Sequence, residues 1–253
     1  METLACVKRV PDTGAKIVLT DDQQSIDTSN LGFTMSPHEE CAIEEAVQIA
    51  QDTGGTATTL TLGSPEADEQ LRTALAMQAD EAVLLETDGD EWGPADTATA
   101  IAEYVQGAET DFDLLLFGNE SADSGNYQVG IRVAQALGLP CVAGIKSIEV
   151  DDGTVIAKRE VSGGEEVYEI PLPAVVAVKE GLNEPRYPSM RSKMKARKQE
   201  VDQRRPERAG KDQLQKVRLV APERDEGRAE ILGEGPEAVP RIVDLLRDDL
   251  EVL

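Results

Sequence analysis

Apolar positions along this chain change period at regular intervals, and the changes mark its elements. Residues 4–10 read as a buried strand, followed by the turn Pro11-Asp12-Thr13-Gly14. Ile17, Val18 and Leu19 suggest a short strand before a polar loop over residues 21–30. A helix start then stands out: Ser36 as N-cap, Pro37 at the first helical position, and Glu39 three residues after the cap. Its apolar face is Cys41/Ala42, Ala46 and Ile49/Ala50, and Gly54-Gly55 stops it. Strands over 56–62, 82–85 and 114–117 alternate with helices expected from Ser64-Pro65 to about Gln78, from Gly93-Pro94 to Gln106, and from about Gln128 to Gly138. Continuous apolar strands alternating with helices predict an α/β fold: a doubly wound, mostly parallel sheet with helices on both faces.

Downstream the pattern changes. Short alternating runs over 147–150, 155–161 and 167–170, separated by Asp-Gly and Gly-Gly turns, predict a β-meander. Residues 173–178 (PAVVAV) return as a core strand. Beyond Gly181, residues 186–218 hold 12 Lys/Arg against 4 Asp/Glu. So basic a segment, with little apolar material of its own, reads as an extended C-terminal arm that folds against something else. The expected organisation is an α/β domain over 1–185 and a partner-binding arm over 186–253, with a final helix near 236–247.

Composition narrows the chemistry. Aromatics are only 3% of the 253 residues, so the core must be built from Val, Leu, Ile and Ala. No apolar run is long enough to span a membrane, and no signal peptide is evident, which points to the cytoplasm without membrane insertion. Cys6, Cys41 and Cys141 are widely spaced in apolar contexts, as buried small side chains are. His38 is the only histidine; a Ser-His-Asp triad would have to be built on it, and no nucleophile-elbow motif supports one, nor is there a His/Cys metal spacing. Net charge is −24, which argues against nucleic acid as the main partner and matches salt-adapted surfaces.

The candidate site lies in residues 113–138, DLLLFGNESADSGNYQVGIRVAQALG. A buried strand running through a polar loop into a helix offers free backbone N–H groups where a phosphate can dock. Gly118 is expected to let a ligand approach the backbone closely. An ordinary strand–helix connection would look much the same.

Four segments carry a resemblance: CVKRVPDTGAKI, MSPHEECAIEEAVQIA, LRTALAMQAD and KREVSGGEEVYEIPLPAVVAVKEGLNEPRYPSMRSKMKARK. Together, in this order, they resemble the β subunit of electron transfer flavoprotein over residues 4–200. The resemblance implies a heterodimer with an α subunit that holds most of an FAD. It implies electron transfer from acyl-CoA and other dehydrogenases to a quinone oxidoreductase, with no catalytic constellation in this chain. It also implies a structural AMP.

By motif, the AMP contacts fall on Cys6, Ser36, Pro37, His38, Glu39 and Leu62, then on Gly118, Asn119, Glu120, Ser121, Ala122, Asp123, Ser124, Gly125, Asn126, Tyr127, Gln128 and Val129. Thr13 and His38 stand where relatives place aromatic residues near the flavin. Arg186, Tyr187, Met190, Arg191 and Lys193 match a loop that recognises partner dehydrogenases, with Met190 at the anchor position. Two alternatives stay open. One is a bifurcating relative with a second FAD in the AMP site, although Ser124-Gly125-Asn126 departs from that group's Gly-Asp-Thr. The other is a stand-alone stress-protein-like regulator, which would have no need of the basic arm.

The 49 acidic against 25 basic side chains generate one prediction at this level. The melting temperature should rise from low to molar salt, because screening relieves carboxylate repulsion. A flat or falling curve would contradict it.

Overall fold

The structure, a computed structural model, describes residues 1–12, 14–89, 91–222 and 231–252. The chain opens with β1 (Thr3–Val7), a small hairpin of β2 (Val10–Pro11) with β3 (Phe33–Thr34), and helix α1 (Pro37–Thr53). There follow β4 (Ala57–Gly63), α2 (Asp68–Ala76), β5 (Glu81–Glu86), α3 (Pro94–Gly107), β6 (Leu114–Gly118), α4 (Val129–Leu137) and β7 (Cys141–Ile145). A meander of β8 (Ser147–Asp151), β9 (Thr154–Val161) and β10 (Gly164–Pro171) leads into β11 (Ala174–Val178). The arm carries α5 (Met190–Ala196), β12 (Asp202–Arg204) and α6 (Val239–Asp244).

Seven strands pair in parallel in the order β12-β5-β4-β1-β6-β11-β7. Each central strand is apolar on both faces, and its side chains alternate between two cores. Ala5, Leu114, Leu116, Ala174 and Val176 face α1 and the meander. Leu4, Cys6, Leu115, Phe117, Val175 and Ala177 face α3 and α4. A third cluster joins α2 to β5 and to Ala196 of α5. The doubly wound fold and the meander are as the sequence pattern predicts.

Local signals account for the helix ends. The Ser36 hydroxyl accepts from the His38 N–H at 3.3 Å, and the Glu39 carboxylate accepts from the Ser36 N–H at 3.0 Å, which completes a capping box. Gly54 and Gly138 close α1 and α4 with φ of 73° and 69°, a conformation that costs glycine nothing.

Three expectations need correction, and one strand was not expected. The predicted strand over 4–10 breaks after Val7, and Val10–Pro11 pairs separately with Phe33–Thr34. Residues 17–19 form only an isolated bridge, Leu19 to Ile26, because Ile17 and Val18 are half exposed with no sheet beside them. The helix after Ser64 opens with a 3-10 turn, Pro65–Ala67, before α2. β7 went unpredicted: its run Cys-Val-Ala-Gly-Ile is short and interrupted by Gly144, where the register against β11 shifts.

The arm packs against the body, and β12 extends the main sheet beside β5. Arg72 of α2 donates to the Ala196 carbonyl at 2.8 Å. Its firmest tie is Arg186, whose guanidinium grips the buried Glu44 of α1 through two 2.8 Å hydrogen bonds, while its backbone N–H donates to Glu44 at 3.0 Å. Burial would raise the Glu44 carboxyl, but Arg186 and Gln48 hold it below its ordinary value. Among the described residues, no helix is long and apolar enough to cross a membrane.

Removing Arg186 strands a buried carboxylate. Arg186→Ala should therefore cost on the order of 2 kcal/mol in urea denaturation, reduced from the fully buried case by the partial exposure of Arg186. A loss below about 0.5 kcal/mol would show that the pair does not hold the arm.

Candidate functional site

The sheet order reverses direction at β1: β4 and β5 continue to one side of it, and β6 returns on the other. Parallel strands leave a crevice beyond their carboxyl ends at such a reversal. A cleft of about 960 Å³ lies there, large enough for a nucleotide. Cys6, Leu60, Leu62, Ile101, Phe117, Val129 and Ala177 give it an apolar floor. Its polar rim comes from residues following β1, β4 and β6.

The site residues proposed from sequence divide between two clefts. Cys6, Glu39, Leu62, Gly118, Asn119, Glu120, Ser121, Ser124, Asn126, Tyr127, Gln128 and Val129 line the large one. Ser36, Pro37, His38, Ala122, Asp123 and Gly125 line a shallower one of about 350 Å³ on the other side of the 119–128 loop, sharing Glu120, Ser121 and Ser124 with the first. His38 is held there: its Nδ1 accepts from the Glu180 N–H at 2.6 Å, and its Nε2 lies 3.6 Å from Glu120. Thr13 lies outside the described residues.

The 119–128 loop turns sharply, with Gly125 and Tyr127 both at φ of 55°. For Tyr127 this is a strained conformation, of the kind concentrated at ligand-contacting loops. The Asn119 N–H is tied to the Val178 carbonyl at 2.8 Å, which anchors the loop's start to β11. At its far end α4 begins, and the first-turn N–H groups of a helix have no intrahelical acceptor and suit an anion. Gly130 packs closely there, since a Cβ would come within 3.1 Å of the Phe117 ring.

A Cβ at Gly118 would meet Glu39 Cγ at 2.7 Å and Glu39 N at 3.1 Å, so this position also lets the start of α1 approach closely.

Charge in the cleft is mostly balanced internally. Lys8 Nζ lies 2.5 Å from Asp123 and 3.6 Å from Glu91. Burial would raise Asp123, yet Lys8 and the hydrogen bonds from Ser121 and the Ser124 N–H hold it below its ordinary value. Glu120 raises the Tyr127 hydroxyl by hydrogen bonding to it.

Three contributions escaped the sequence reading. Lys8 and Arg9 line the cleft directly after β1, a position that strand-exit logic could have flagged. Trp92, at the start of α3, sits under Arg208 at 5.7 Å. Arg208, Asp212, Leu214, Gln215 and Lys216 come from the arm. Asp212 accepts from the Ala95 N–H at 2.9 Å and so caps α3, while the buried Asp96 takes Arg208 at 2.9 Å and the Lys211 N–H at 2.6 Å. Pairing across more than a hundred residues leaves no local trace in sequence.

The recognition-loop residues differ in their surroundings. Arg186 is committed to Glu44. Met190 begins α5 and is 76% exposed, and Tyr187 is 88% exposed with Lys193 5.0 Å from its ring centre. Arg191 is exposed as well. Met190 therefore does not pack beneath its own loop.

Glu39 gives the site a pH signature. Burial pushes its carboxyl up to about 8, against the hydrogen bonds from the Ser36 and Lys8 N–H groups and the charge of Lys8. The folded chain thus keeps a proton that the unfolded chain releases near 4.5. The associated stability is fully present below pH 4.5 and is lost as pH rises to about 8. Glu39→Gln should flatten this fall in urea denaturation across that range, and an unchanged slope would contradict the assignment.

Comparison with known proteins agrees with this architecture. The family model described as "Electron transfer flavoprotein domain" matches residues 24–209. The electron transfer flavoprotein subunit beta of Bacillus subtilis (strain 168) is 34% identical over 259 residues, spanning 100% of both chains. The subunit beta of Syntrophomonas wolfei is 39% identical over 206 residues, 79% of this chain and 78% of that one. The caffeyl-CoA reductase-Etf complex subunit CarD of Acetobacterium woodii is 34% identical over 204 residues, 79% of this chain and 77% of its own. By its fold, its family match and its full-length likeness to a subunit beta, this chain belongs to the electron transfer flavoprotein family as a β subunit.

Proposed function

We propose that this β subunit pairs with an α subunit that holds most of an FAD, and that it carries a structural AMP in the large cleft. The observation that carries the AMP reading is the cleft itself. Twelve of the eighteen residues implied by resemblance line one crevice at the sheet's reversal point. The chain's residues fit the group. Leu60, Leu62 and Phe117 offer apolar surface for a purine ring, the polar side chains of the 119–128 loop can reach ribose hydroxyls, and the first turn of α4 can meet a phosphate. AMP would then brace β1, β6 and α4 against one another.

The flavin supplies the redox chemistry when bound. This chain's part is to shape the flavin's surroundings and to present partners. Electrons would pass from acyl-CoA and other dehydrogenases to a quinone oxidoreductase. The arm's outward apolar side chains, Val217 at 83% and Val220 at 68% exposure, are suited to covering by the α subunit. A second reading, FAD in the same cleft, draws on the cleft's extent past the loop toward Trp92 and the arm.

Mass spectrometry of ligands released from the denatured heterodimer separates the two readings. We expect close to one AMP and one FAD per heterodimer. Two FAD and no AMP would favour the second reading, and release of no adenine nucleotide would overturn both.

Met190 supplies a prediction about partners. Its exposed, flexible thioether suits a pocket that varies among dehydrogenases, and Pro185 and Pro188 limit the entropy lost on docking. Met190→Ala should weaken the apparent affinity for every dehydrogenase partner by roughly thirtyfold, about 2 kcal/mol. AMP content, FAD content and melting temperature should stay near wild type. An unchanged affinity in steady-state titration would remove Met190 as the anchor.

A further inference from the structure

Four cationic side chains line the large cleft: Lys8, Arg9, Arg208 and Lys216. Three of them are answered by carboxylates of the chain. Lys8 pairs with Asp123 and Glu91, Arg208 with Asp96 and Asp212, and Lys216 with Glu91 at 3.8 Å. Arg9 differs. Its guanidinium has no hydrogen bond and no ion pair among the described residues, and its Nε is buried without an acceptor. In a chain with 49 acidic side chains against 25 basic ones, an unanswered guanidinium inside a cleft is unexpected.

Leaving a buried donor on a charged group without a partner is costly, so such a donor calls for an acceptor from water or from a ligand. The geometry around Arg9 is prepared for one. Its guanidinium lies over the Phe33 ring, 3.4 Å from the centroid. Phe33 is itself fixed, because Pro11 and Val10, next along the chain from Arg9, pair with Phe33 and Thr34. Stacking holds the plane of the guanidinium and leaves its edge donors free, which is the arrangement that grips two oxygens of one phosphate. The nearby Glu66 feels the charge of Arg9, but its carboxyl is held chiefly by Ser64 and forms no ion pair with Arg9.

We propose that Arg9 is the side chain that receives the phosphate group of the nucleotide in this cleft, with Phe33 as its positioning platform. The proposal rests on the nucleotide reading above and adds the residue that answers the ligand's charge. Lys8, the obvious alternative, is already neutralised by Asp123 at 2.5 Å. A phosphate entering a protein of net charge −24 needs one cation that the chain has left uncommitted.

The test is calorimetric titration of the heterodimer, stripped of nucleotide, with AMP and with adenosine, for wild type, Arg9→Gln and Arg9→Lys. Arg9→Gln should weaken AMP binding by at least about tenfold and leave adenosine unchanged, since only the phosphate contact is lost. Arg9→Lys should fall between, keeping the charge without the two-pronged contact. Phe33→Leu should likewise weaken AMP more than adenosine. Equal AMP affinity in wild type and Arg9→Gln would overturn the proposal while leaving the nucleotide site intact. A parallel loss of AMP and adenosine would also overturn it, because the arginine would then be structural. Wild type that binds neither ligand would refute the nucleotide reading itself.

Discussion

The site depends on one buried carboxyl. Glu39 sits at the start of α1, where its side chain accepts the N–H of Ser36 and the N–H of Lys8. It thereby fixes the end of β1 to the cap of α1, and its backbone and Cγ press against Gly118 at the end of β6. Three elements separated in sequence meet at this point. Any side chain at Gly118 would force them apart, and any loss of the Glu39 contacts would leave buried N–H groups without acceptors. The cost of burying the carboxyl appears as its raised pKa, so the cleft's geometry is maintained against electrostatics by packing and hydrogen bonds.

Charge is arranged in layers around that point. The surface is strongly acidic, whereas the arm is basic and folds onto the body through specific pairs: Arg186 on Glu44, and Arg208 on Asp96. Both acidic partners are nearly fully buried, so these are ties that position chain and are unlike the loose ion pairs of an exposed surface. The same arm closes one side of the cleft with Asp212 and Lys216. The arm's ties to the body and one wall of the cleft therefore share one segment of chain.

Much of this was legible in the sequence, and the physical reason is local periodicity. The capping box of α1, the glycine stops of α1 and α4, and the apolar strands each follow from residues within one turn or one strand. What stayed hidden was non-local. β12 pairs with β5 across more than a hundred residues, and β7 is a short edge strand with a glycine inside it. For the site, the strand exits and the Gly118–Val129 loop could be read from the strand–loop–helix pattern. The commitment of Arg186 to Glu44, the cap that Asp212 gives α3, and the isolation of Arg9 could not, since each depends on which distant side chains arrive. Six of the residues face the shallower cleft: Ser36, Pro37 and His38 at the start of α1, and Ala122, Asp123 and Gly125 within the loop.

The central claim is that a nucleotide is held in the large cleft at the sheet's reversal point. Hydrogen–deuterium exchange of the full chain, with and without AMP, reads this most directly. The account predicts slowed exchange in two stretches, at the end of β1 over residues 6–9 and from Gly118 through the first turn of α4, with α5 unaffected. Slowed exchange confined to Ser36–His38 and Ala122–Gly125, or no change at either cleft, would contradict it.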